Sequence, residues 1–161
     1  MTQSAERLPS PAPLRRERAA VRHAQQFFLR QADLLASITG GDLLLGLVFI
    51  AIQTANTSHL ADSTGDEFAE LEDVPPDDMR RPISVLALSE SLKLPYETTR
   101  RYVGRLEKLG LAVRVGRGGV IIPARALELP GNLERVQRSF ANVTRFVAGL
   151  RRTGIDVDAM R

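Results

Sequence analysis

Two glycine breaks constrain the chain more than any other feature. In the stretch LPYETTRRYVGRLEKLGLAVRVGRGGVIIP, residues 94–123, Gly110 falls where a helix must stop and Gly116-Arg117-Gly118-Gly119 falls where a strand must turn back. Before Gly110, Thr99, Val103 and Leu106 recur at three- and four-residue steps, the inward stripe of a helix over 95–109. Pro95 suits its first position, where a missing N–H is harmless, and Gly110 suits the left-handed position just past its end. After it, Leu111, Val113 and Val115 alternate with Ala112 and Arg114, and Val120 to Ile122 returns as the second strand of a hairpin closed by Pro123. Tyr96, Glu97, Thr98, Arg100, Arg101 and Arg105 occupy the outer face of that helix, with Tyr102 half-buried.

A second helix precedes this one. Ser84 caps Val85 to Ser91, with Val85, Leu88 and Leu92 inward, and Lys93 and Leu94 make a tight turn into Pro95. Residues 61–79 have no sustained apolar period beyond a helical fragment near Phe68 and Leu71, contain Pro75 and Pro76, and read as an acidic linker. Residues 1–15 carry three prolines and read as a disordered lead. From 16 to 60 a two-helix unit is expected. Val21, Ala24, Phe28, Ala32 and Leu35 line the first helix, flanked by Phe27 and Leu34; Gly40 and Gly41 end it, and Asp42 caps a nearly all-apolar second helix to about His59. A last helix within 130–153 places Leu133, Val136, Phe140, Val143, Val147 and Leu150 at the spacing of a helix-pairing seam, followed by a tail over 154–161.

Composition narrows the chemistry. The chain has no cysteine and only His23 and His59 as histidines, so thiolate chemistry is excluded and neither a metal nor another cofactor is expected. Gly116–Gly119 sits between two strands, not before a helix, so it is not a phosphate cradle. No nucleophile, base and oxyanion donor converge in a recognisable pattern, and the chain is not expected to be an enzyme. Leu43 to Ile52 is the most apolar run and falls short of the roughly 18–20 residues of a membrane span. A cytoplasmic, nucleoid-associated protein without membrane contact is expected. The net charge of +3 hides a strong polarity: eight acidic and no basic residues from Asp62 to Asp78, then nine basic residues from Arg80 to Arg117 against Glu90, Glu97 and Glu107.

The order helix, turn, helix, hairpin over Arg81 to Pro123 resembles the winged helix-turn-helix of bacterial transcription regulators, and its flanking helices are similar in order to the multiple-antibiotic-resistance regulator (MarR) type. The resemblance implies a mainly α fold: a winged helix-turn-helix over 80–123 with a two-stranded β-wing, flanked by N- and C-terminal dimerisation helices. It implies binding of double-stranded DNA by a homodimer that regulates transcription. The helix over 95–109 would enter the major groove, and the wing over 111–122 would meet the backbone or the minor groove. Its outer residues would read bases, Arg117 would sit at the wing tip, and Arg114, Arg80 and Arg81 would add phosphate contacts.

Alternatives stay open at this stage. The winged unit is also a scaffold for docking proteins, such as another regulator or a polymerase. The C-terminal seam suits either the chain's own core or a second subunit. Phe27, Phe28, Phe49, Phe140 and Phe146 suit either plain core or the lining of a small apolar or aromatic effector site. The eight carboxylates suit either a solvated linker or a segment that competes with phosphate for the basic face.

Overall fold

Prolines at 11 and 13 do not delay the first helix. In the computed structural model, which describes residues 11–60, 70 and 73–156 with side chains from residue 15 onward, helix α1 runs Pro11–Ile38. Residues 11–15, expected to belong to a disordered lead, are helical. A proline in the first turn lacks an N–H that would have no helical partner there anyway. Residues 1–10, most of the acidic linker with the helical fragment near Phe68 and Leu71, and the tail beyond 156 lie outside the described residues.

The chain turns through Gly40 and Gly41, both at positive φ, with the Gly41 amide donating to the Ala36 carbonyl at 2.9 Å. Asp42 then caps α2, Leu43–Thr57, by accepting from the Leu45 amide at 3.0 Å. Gly46 allows α2 to approach α1 closely, since a Cβ there would collide with the Leu35 carbonyl. A 3-10 turn at Asp77–Met79 leads to strand β1, Ile83–Ser84. Helix α3, Val85–Leu92, is capped by the Ser84 hydroxyl, which accepts from the Ala87 amide at 3.1 Å. Lys93 ends it at φ 55, the left-handed region that L residues enter at a cost.

Helix α4, Tyr96–Lys108, starts one residue later than expected, with Pro95 outside its first turn. Gly110 takes φ 72 after its end. Strands β2, Val113–Val115, and β3, Gly119–Ile121, follow, then a short helix α5, Ala124–Leu127, and the long helix α6, Asn132–Arg152. The molecule is mainly helical with one small antiparallel sheet in the order β1-β3-β2. The expected two-stranded wing is corrected to three strands, pairing Ile83 with Val120 and Val113 with Ile121. A two-residue strand carries no period to read, which is why β1 escapes a pattern search.

The strand after Gly110 is also shorter than expected. Ala112, expected outward with Arg114, is buried, because the Leu111 and Ala112 amides both turn back to the Leu106 carbonyl, at 2.9 and 3.3 Å. Pleating, and with it the in-out alternation, begins only at Val113.

The described residues divide into two units. The larger, 32–139, has its core between Leu45, Val48, Phe49 and Ile52 of α2, Val85 and Leu88 of α3, Val103 and Leu106 of α4, and Val120 and Ile122 of the sheet. Each such side chain contributes about 1.5–3 kcal/mol on burial. Asn56, fully buried on α2, fastens this core to the sheet. Its Nδ2 donates to the carbonyls of Arg81 at 2.7 Å and Val120 at 3.2 Å, and its Oδ1 accepts from the Ile122 amide at 2.9 Å.

The smaller unit pairs residues 11–31 of α1 with residues 140–156. The Phe27 and Phe146 rings stack with centroids 5.1 Å apart, Asn142 donates to Gln31 at 3.3 Å, and a Cβ on Gly149 would come within 2.8 Å of the His23 ring. The helices run antiparallel. Their contact rows are His23, Phe27, Gln31 and Asn142, Phe146, Gly149, each one residue off the stripe expected to face inward. Val21, Phe28, Phe140 and Val143 are exposed instead, as is Leu133 in the larger unit. The chain's own core does not cover them. Among the described residues no single helix is long and apolar enough to cross a membrane.

Candidate nucleic-acid interface

Helix α4 separates its two faces sharply. Thr99, Val103 and Leu106 are buried, and Thr99 further satisfies its hydroxyl by donating to the Pro95 carbonyl at 3.2 Å. Tyr96, Glu97, Arg100, Arg101 and Arg105 are exposed on the other side, with Thr98 half-exposed. The apolar row fixes the helix on the unit, so the outer row is presented on a rigid element.

The arginines of this region are not equivalent. Arg100 forms a two-pronged pair with Glu97, Nε to Oε2 at 2.8 Å and Nη2 to Oε1 at 2.6 Å. The hydrogen bonds from Arg100 hold the Glu97 carboxyl below the usual range, and the same pair raises the Arg100 guanidinium. Arg105 reaches across to the Asp42 carboxylate at 2.7 Å. Asp42 is held below its ordinary pKa first by the Leu45 amide and then by Arg105. Arg114 on β2 pairs with Glu107 of α4 at 3.1 Å. Three of the cations proposed for DNA are thus already neutralised within the fold.

Arg101 and Arg117 have no ion-pair partner among the described residues. Arg101 stands with its guanidinium 5.7 Å from the centre of the half-buried Tyr102 ring, and Arg105 lies 5.3 Å from the same ring. Tyr102 therefore sits beside two cations at cation–π distance, which suits packing. Arg117 is exposed in the turn between β2 and β3, flanked by Gly116 at φ 55 and Gly118 at φ 96.

Arg80 and Arg81 part company. Arg81 is exposed, and its backbone is held by Asn56 through both amide and carbonyl. Arg80 is only 4% exposed. Its Nη2 donates to the Pro75 carbonyl at 2.7 Å and Asp77 lies 3.5 Å from its Nε, while Nε and Nη1 have no hydrogen-bond partner. Burial pulls its pKa below the ordinary guanidinium value. As a phosphate contact Arg80 is corrected: it is an internal tie of the segment before β1, since a charge count along the chain does not say which side chain points inward.

Sequence reasoning missed Asp42 and Glu107 as partners of the basic face. Asp42 was legible as a helix cap, but its second role needs Arg105, 63 residues away. Of the five phenylalanines suggested for an effector site, Phe49 is in the core of the larger unit, Phe27 and Phe146 stack on each other, and Phe28 and Phe140 are exposed. No family model, curated protein or solved structure matches the chain.

Proposed function

We propose that residues 80–123 act as a winged helix-turn-helix that binds duplex DNA, with α4 in the major groove and the β2–β3 turn against the backbone or minor groove, and that the protein regulates transcription. The observation that carries this reading is the division of α4. One row is buried and the opposite row presents Tyr96, Thr98 and Arg101, with Arg117 at the sheet tip, neither arginine being ion-paired among the described residues. An arginine can take guanine O6 and N7 together, whereas a lone cation on a thin turn suits phosphate. Arg100, Arg105 and Arg114 act mainly by exchanging a carboxylate for a phosphate, so their net contribution is smaller.

The reading includes a homodimer formed through the exposed apolar row of α1 and α6, which places two recognition helices on a two-fold axis and calls for an inverted-repeat site. Selection of sites from random duplexes tests both statements. Arg101→Ala is expected to weaken the selected site about tenfold or more and to relax base choice at one position, at about 1–3 kcal/mol. Arg117→Ala is expected to weaken all duplexes evenly and lower the salt slope by about 1. The second reading, a protein-docking module, is favoured by the three internal ion pairs, which leave a mixed-charge surface. It gains if no sequence is enriched and both variants bind duplex as the wild type does.

A further inference from the structure

The antiparallel pair of α1 and α6 has a second differentiated side, and its chemistry is not that of α4. The facing residues are His23, Phe27 and Gln31 on α1 and Asn142, Phe146 and Gly149 on α6. Reversing a helix reverses its apparent sense of rotation, so on two antiparallel helices the residues that follow the facing rows point to one side of the pair and those that precede them point to the other. Following them are Ala24 and Phe28 on α1 and Val143, Val147 and Leu150 on α6. Preceding them are Arg22 and Arg30 on α1 and Arg145 on α6. Seven-residue steps, two turns or about 10.5 Å, extend that side to Arg15 and Arg152.

Arg15, Arg22, Arg145 and Arg152 are exposed and Arg30 is half-buried. Arg145 is steadied by donating to the Asn142 side chain at 3.2 Å. The only carboxylates among the described residues of this unit are Glu17 and Asp156, against eight arginines. Glu17 follows Arg16, which lies against Gly154 in the facing row, so it belongs to the apolar side. The ridge therefore has cations at regular spacing, and the acidic neighbour on its own side of α1 is Asp33, one turn beyond Arg30, which lies 3.9 Å from Arg138 of α6.

We infer that this ridge binds the phosphate backbone of a duplex independently of α4, so that one molecule holds two nucleic-acid segments. The inference stands apart from the reading of residues 80–123, since it uses none of its side chains. A bilayer surface is the rival source of phosphate. An interfacial helix seats its apolar face in the membrane with its cations on the opposite face, and since the ridge lies about 140–160° from Phe140 and Val143, seating that apolar face would point the guanidinium groups away from the lipid phosphates. A backbone contact uses the crest directly.

The test uses the full chain with Arg22, Arg145 and Arg152 changed together to Gln, and a second variant with all three changed to Lys. Each is checked for native circular dichroism before titration on a random-sequence duplex of about 30 base pairs across a salt series. The Gln variant is expected to lose affinity about tenfold at low salt and to reduce the salt slope by about 0.9 per lost contact, while the Lys variant retains the slope. Wild-type protein on an immobilised duplex is expected to capture a second, free duplex, and the Gln variant to lose that capture. An unchanged slope and undiminished capture in a folded Gln variant overturn the inference, as does sedimentation with phosphatidylserine vesicles that the Gln variant alone loses while duplex binding stays intact. Arg101→Ala separates the two sites. If it alone abolishes all duplex binding, the ridge fails and the α4 reading stands; if it changes nothing while the Gln variant does, the reverse holds.

Discussion

At the scale of single residues, the same side-chain type is put to opposite uses within a few ångströms of chain. Arg80 and Arg81 are neighbours, yet one guanidinium is internal and the other is in solvent. Replacing Arg80 by an apolar side chain of similar length removes its hydrogen bond to the Pro75 carbonyl and its pairing with Asp77. Arg80→Met is expected to cost about 1–3 kcal/mol by urea unfolding and to leave the salt slope of duplex binding unchanged. A slope lowered by about 1 would return Arg80 to the interface. Asp42 gives a pH prediction whose sign follows from its lowered pKa. Its carboxyl is more acidic folded than unfolded, so its stabilisation is present above the usual carboxylate pKa near 4 and is lost as pH falls through the folded value. Asp42→Asn keeps a good cap but loses the charged partner of Arg105. The variant is expected to show a shallower fall in Tm between about pH 5 and 3 than the wild type.

Among elements, what was legible in the sequence was local. Ser84, Asp42 and Gly110 were readable as helix stops and starts because each acts on backbone groups within three or four residues. The order of helices α2, α3, α4 and α6 and the β2–β3 turn followed from apolar spacing for the same reason. Long-range partners were not legible. Asn56 reads as an ordinary polar residue near the end of α2 until Val120 and Ile122, more than 60 residues on, supply its partners. Strand β1 exists only because β3 pairs with it. The one-residue offset of the α1 and α6 faces was also hidden, since Asn142 and Gly149 interrupt an apolar row, although Asn142 bonds Gln31 across the pair and Gly149 leaves room for the His23 ring. In the candidate site the outward row of α4 was readable, but its neutralisation by Asp42 and Glu107 was not. Lys93 is the element-scale misfit. At φ 55 it holds the turn between α3 and α4 in a region that costs an L residue about 1 kcal/mol and glycine almost nothing. Lys93→Gly is expected to change stability by under about 1 kcal/mol in thermal unfolding, with relief of strain set against the greater freedom of the unfolded chain. A loss well above that would mean that the lysine side chain itself holds the turn.

At the scale of the whole molecule, the proposed dimer depends on how the surface of the unit of residues 11–31 and 140–156 is shared between an apolar and a cationic side. Phe28 is 67% exposed and Phe140 is 59% exposed, on the side of the helix pair away from the arginine ridge. Two phenylalanines left in water with Val21 and Val143 beside them forgo several kcal/mol of burial, and a second copy meeting them across a two-fold axis recovers it for both chains at once. Such a dimer turns both ridges outward and brings two α4 helices under one effective concentration. Phe28→Glu with Phe140→Glu is expected to convert the proposed dimer to a monomer in sedimentation at micromolar concentration while leaving Tm largely intact, because neither ring belongs to the core. The same variant is expected to bind a selected inverted repeat about 100-fold more weakly and an isolated half-site as the wild type does. Equal loss on both sites would mean that the apolar side acts on the reading unit itself, and a wild-type protein that sediments as a monomer would remove the two-fold site from the model of recognition.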